Sequence, residues 1–135
     1  MTRRSPMWKA GLALLGCALG GCHRAPPPDA IEPGMAALRD AGLKVEGFAP
    51  VDARRFAAIA CREGRVESFA ALVCDYGAPE AWPRGKRAAE DWIGSALTGT
   101  WAARDRLLLV LADRDRADPS GKQLSKVVHA FSPKK

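Results

Sequence analysis

The run Leu107-Leu108-Leu109-Val110-Leu111-Ala112 constrains this chain more than any other segment. Six apolar residues in a row, without polar alternation, describe a strand that is central in its sheet and covered on both faces. Thr100–Ala103 and Arg106–Ala112, the segment that contains this run, flank the polar link Arg104-Asp105, so the two read as a hairpin.

Helical patterns surround this pair. Pro33 suits the first position of a helix whose apolar face carries Met35 and Leu38. Gly42 then fits a left-handed cap, with Leu43 folding back on Leu38. Lys44–Ala49 reads as a short strand. Arg84–Leu97 reads as a helix with Ala89, Trp92, Ile93, Ala96 and Leu97 on one face and Gly99 as its stop. Asp118-Pro119-Ser120-Gly121 has type I turn composition. Ser120 and Gln123 have capping-box spacing ahead of a last helix with the stripe Leu124, Val127, Val128 and Phe131.

Residues 52–63 are ambiguous. Asp52 suits an N-cap, and Val51 with Phe56 suits a hydrophobic staple, so the segment is read as a helix ending at Gly64. The alternative makes Ala57–Cys61 the first arm of a hairpin turning near Glu63-Gly64. Val66–Tyr76 reads as a strand between Gly64 and Gly77. Helices interspersed with few strands predict an α+β domain over residues 34–135, with helices against a small, mainly antiparallel sheet.

The first residues carry an address. Met1–Lys9 is basic, Ala10–Leu19 is a short apolar run, and Gly20, Gly21 and Cys22 follow. That order describes a secretory signal peptide over residues 1–21. Leu19-Gly20-Gly21-Cys22 resembles the lipobox of bacterial lipoproteins. The resemblance implies that the Cys22 thiol carries a diacylglycerol, that cleavage falls just before it, and that the new N-terminus is acylated. A poorer match, Leu14-Leu15-Gly16-Cys17, leaves only a stub of apolar run. His23, rather than aspartate, follows Cys22, which in Gram-negative lipoproteins implies the outer membrane rather than the inner one. Residues 22–33 then form a tether, because three successive prolines favour an extended chain that stands off from the lipid surface.

Charge narrows the partners. The chain carries a net +6, but Arg3, Arg4 and Lys9 lie in the signal, and without them 18 basic residues face 15 acidic ones. That surplus is too small to indicate nucleic acid. The expected partners are the membrane, through the lipid, and an envelope protein. The sequence assigns no oligomeric state.

Cys61 and Cys74 form an even pair in the mature chain, and export favours a disulfide. Geometry opposes it. In a hairpin turning at Glu63-Gly64, Cys74 lies eight positions past the partner of Cys61, roughly 26 Å away at 3.3 Å per residue. Bonded cysteines need Cα atoms within about 7 Å. A bond and that hairpin exclude each other, and both states stay open. Without a C-x-x-C, the pair gives only a weak signal for thiol chemistry.

Asp113, Asp115 and Asp118 do not make a calcium loop, since position 5 is Ala117, position 6 is Asp118 and position 12 is Leu124. They read as a solvated turn with local ion pairs. His129 falls opposite the apolar stripe of the last helix and reads as a surface residue. No metal site, cofactor site or catalytic set is assembled. The chain is therefore read as a non-catalytic, lipid-anchored binding or accessory module of the cell envelope. The alternative is an envelope enzyme exchanging disulfides through Cys61 and Cys74.

Overall fold

The computed structural model describes residues 29–96 and 98–133. Cys22 and most of the tether lie outside the described residues. The fold is α+β, a five-stranded antiparallel sheet with three helices packed against it. The elements are α1 (Ile31–Asp40), β1 (Val45–Val51), β2 (Ala60–Val66), β3 (Phe69–Asp75), α2 (Lys86–Ile93), β4 (Gly99–Arg104), β5 (Leu107–Ala112) and α3 (Lys122–Phe131). The strand order is β1-β2-β3-β5-β4.

β5 lies between β3 and β4, and all six of its residues are buried. The unbroken apolar run has this cause. Leu107, Leu109 and Leu111 pack beneath α1 and α3, against Met35, Leu38, Val127 and Phe131. Leu108 and Val110 point the other way, into a second cluster with Phe56, Leu72, Cys74, Tyr76 and Ala89. α1 approaches β5 so closely that a Cβ on Gly34 would stand 2.7 Å from Leu107 Cδ1.

Helix ends follow local chemistry. α1 starts at Ile31, ahead of Pro33, because Asp29 Oδ1 accepts the Ile31 N–H at 3.0 Å. It ends as the sequence predicts. Gly42 sits at φ +82°, its N–H reaches the Arg39 carbonyl, and the Leu43 N–H reaches the Leu38 carbonyl. These are the two bonds of a Schellman cap.

α2 is shorter than the predicted Arg84–Leu97. A 3₁₀ turn over Trp82–Gly85 precedes it, and Gly94 at φ +56° stops it. Gly99 instead opens β4. The capping box does not form, since the N-cap position of α3 is Gly121 and has no side-chain bond. Asp118 takes over, and its Oδ2 accepts the Leu124 N–H at 2.9 Å.

The helix expected over 52–63 is the largest correction. Asp52 caps only one 3₁₀ turn, Ala53–Phe56, which closes at Ala57 with φ +55°. β2 begins at Ala60 and runs straight through Glu63-Gly64. Gly64 is there for a close approach, not a turn. The Phe48 ring lies over it, and a Cβ on Gly64 would stand 2.7 Å from the Glu46 carbonyl oxygen. Opposite it, β1 bulges at Gly47, which has φ +67°. The chain reverses at Glu67-Ser68, where Val66 pairs with Phe69. Val66 thus ends β2 rather than opening the following strand.

Candidate functional site

Moving the turn from Glu63-Gly64 to Glu67-Ser68 decides the cysteine question. The new register sets Cys61 directly opposite Cys74. Their Cα atoms are 4.1 Å apart and the sulfurs are bonded. The geometric objection belonged to a hairpin that does not occur. Both residues are almost fully buried, at 2% and 1% exposure, in the cluster on the α2 side of the sheet.

Tyr76 packs in the same cluster. Its hydroxyl donates to the Phe56 carbonyl at 2.9 Å, tying the 3₁₀ turn to the end of β3. Burial raises the phenol above the usual tyrosine range. Gly85 leaves room for the ring, since any Cβ there would overlap the Tyr76 hydroxyl.

Three tryptophans, all half-buried, edge this face. Trp82 and Trp101 lie with ring centroids 5.3 Å apart, and the Lys86 ammonium stands 5.2 and 5.3 Å from the two centroids. Trp92 donates its indole N–H to Glu63 at 2.9 Å, while the Arg114 guanidinium stacks 4.7 Å from its ring. Arg114 also reaches the Trp92 carbonyl at 2.7 Å, holding the end of α2. Each ring thus has a cation beside it, an attraction that strengthens where water is displaced. The sequence marks these tryptophans as apolar but gives no sign of the cations that pair with them.

The loop of Asp113, Asp115 and Asp118 is not the solvated turn expected. Asp113 is fully buried and accepts the Ala117 and Asp118 N–H groups, both at 2.9 Å. Asp118 is buried too and anchors α3, and the Leu124 N–H above all holds its carboxyl below the usual range. Asp115 reaches across to Arg65 at 3.0 Å. Main-chain donors therefore occupy Asp113 and Asp118, and Arg65 occupies Asp115. Among the described residues no group of three His, Cys, Asp or Glu side chains is placed to hold a metal ion.

An open groove of about 1140 Å³ lies beside α3, lined by Asp40, Arg104, Asp105, Lys122, Lys126 and His129 among others. His129 is exposed, as the sequence predicts. The groove carries both signs of charge, Asp40 and Asp105 with Arg104, Lys122 and Lys126. The Ser132 hydroxyl donates to the Val128 carbonyl at 2.8 Å. The described residues as a whole carry equal numbers of basic and acidic side chains, so the net charge of the chain comes from its ends. No described helix is long and apolar enough to cross a membrane.

No protein-family model, no curated protein and no solved structure matches this chain.

Proposed function

We propose that this chain is a lipid-anchored, non-catalytic module of a bacterial cell envelope. Cys22 carries the lipid, the proline tether spaces the fold from the membrane, and the folded part meets an envelope protein. The side is the periplasmic face of the outer membrane, as His23 after the cysteine implies by resemblance. The observation that carries this reading is Leu19-Gly20-Gly21-Cys22 placed between a short apolar run and three prolines.

The Cys61–Cys74 bond supports it, because disulfides persist in oxidising compartments and are rare in the cytosol. Its burial also weighs against the enzyme reading. Thiol–disulfide exchange needs a thiolate to reach one sulfur, and both cysteines are buried in the cluster that also holds Phe56 and Leu72. Cell fractionation tests the proposal. The wild-type chain should sediment with membranes, resist salt extraction and dissolve in detergent. A wild-type chain recovered in the soluble fraction contradicts it.

A further inference from the structure

The two edges of the sheet differ in how they meet solvent. Sheet edges expose unpaired main-chain donors and acceptors, and they are usually blunted by bulges, prolines or charges. β1 has all three. It bulges at Gly47, carries Pro50 beside its last residue, and bears Glu46 in an ion pair with Lys44. β4 has no bulge, and all six of its residues pair with β5 in one register. From Gly99 to Ala103 it contains neither charge nor proline.

The register also shows which groups are open. The Asp113 N–H bonds the Thr98 carbonyl at 2.9 Å. Hydrogen-bonded residues alternate along an antiparallel ladder, so Thr100, Ala102 and Arg104 also turn toward β5. Gly99, Trp101 and Ala103 turn their main-chain groups outward. No other described main-chain group meets them. One face beside this edge is aromatic, with Lys86 against the rings, and the other is mixed, with Ser125, His129 and Ser132 beside the apolar residues of α3. Trp82 stands against Trp101 on one side. On the other a cleft of about 280 Å³ separates Thr100 from Leu124 and Val128 of α3.

We propose that β4 is a dimerisation edge, pairing antiparallel with the same strand of a second copy about a two-fold axis at Trp101. The two sheets would then continue into one. In this register Trp101 faces the partner's Trp101, and Gly99 faces the partner's Ala103, so all three outward residues find ladder partners. Thr100 lies against the partner's Ala102, and no residue from Gly99 to Ala103 brings a charge into the ladder. The self-pairing closes after two copies, as an isologous contact must.

Two other occupants fit less well. The proline tether lacks the N–H groups a ladder needs at Pro26, Pro27 and Pro28. A charged foreign strand finds no counter-charge on Gly99–Ala103 itself, and the cation beside Trp101, Lys86, is already held against the Trp82 and Trp101 rings. The inference does not depend on the lipid anchor.

The test uses the full chain in mild detergent, with protein mass from light scattering and amide hydrogen exchange read at Trp101 and Ala103. The expected result is a concentration-dependent dimer in which these two amides exchange at least tenfold more slowly than in the monomer. Ala103→Pro removes an outward N–H without touching the β5 ladder and should weaken the dimer at least tenfold. If it fails to fold, Thr100→Lys should do the same by placing two ammonium groups near the axis. A chain that is monomeric at every concentration overturns the proposal. So does a dimer whose Trp101 and Ala103 amides exchange as fast as those of the monomer.

Discussion

Cys61 and Cys74 occupy directly opposed positions on β2 and β3, with Cα atoms 4.1 Å apart, and the bond between them lies in the core rather than at the surface. It ties the exposed outer strands, β1 with β2, to β3, which is buried along nearly its whole length. Closing a loop of this length stabilises a fold by about 3 kcal/mol. Cys61→Ser together with Cys74→Ser should therefore lower Tm by something on the order of 10–20 °C. Thermal melts with and without reductant check this. An unchanged Tm would mean that the bond adds nothing to the packing around it.

Tyr76 and Gly85 form a matched pair. Gly85→Ala forces the Tyr76 ring away and should cost about 1–3 kcal/mol. Tyr76→Phe removes the bond to Phe56 and should cost about 1 kcal/mol. The phenylalanine lacks the oxygen that the new methyl meets, so the double variant should lose less than the sum. Chemical denaturation of the four proteins measures the coupling, and strict additivity would count against the pairing.

How much of this was legible in the sequence depends on whether the cause was local. The six-residue run at Leu107–Ala112 announced its own burial, and Gly42 with Leu43 announced the end of α1, because each signal sits in the residues concerned. The turn at Glu67-Ser68 did not announce itself. Neither residue is glycine, asparagine or aspartate, yet Glu67 adopts φ +52°. Gly64 drew the turn reading instead, although it serves the ring of Phe48 across the ladder. That one displaced turn also hid the disulfide, since register fixes which cysteines meet. Asp113 looked solvated because its main-chain donors come from residues that only the folded loop brings round.

That loop makes a further prediction. Asp113→Ala leaves the Ala117 and Asp118 N–H groups without their acceptor in a buried place and should cost about 1–3 kcal/mol. Asp113→Asn keeps one acceptor oxygen and should recover part of that. Urea midpoints distinguish the two. Equal losses would argue against main-chain anchoring by this carboxylate.

Asp118 gives the loop a pH dependence. The Leu124 N–H and neighbouring donors favour its ionised form, so its folded pKa lies below the unfolded value. The stabilisation is complete above the unfolded value and is lost as pH falls through the folded one, which places the loss below about pH 4. Asp118→Asn should flatten the fall in urea midpoint over that range. An acid limb as steep as that of the wild type would assign the loss to other carboxylates.

The central claim concerns Cys22, and incorporation of labelled fatty acid tests it most directly. Wild-type chain expressed in a Gram-negative host should carry the label, and Cys22→Ala should abolish it while Cys17→Ala leaves it in place. Label that persists in Cys22→Ala, or wild-type chain that takes up none, would contradict the lipid anchor.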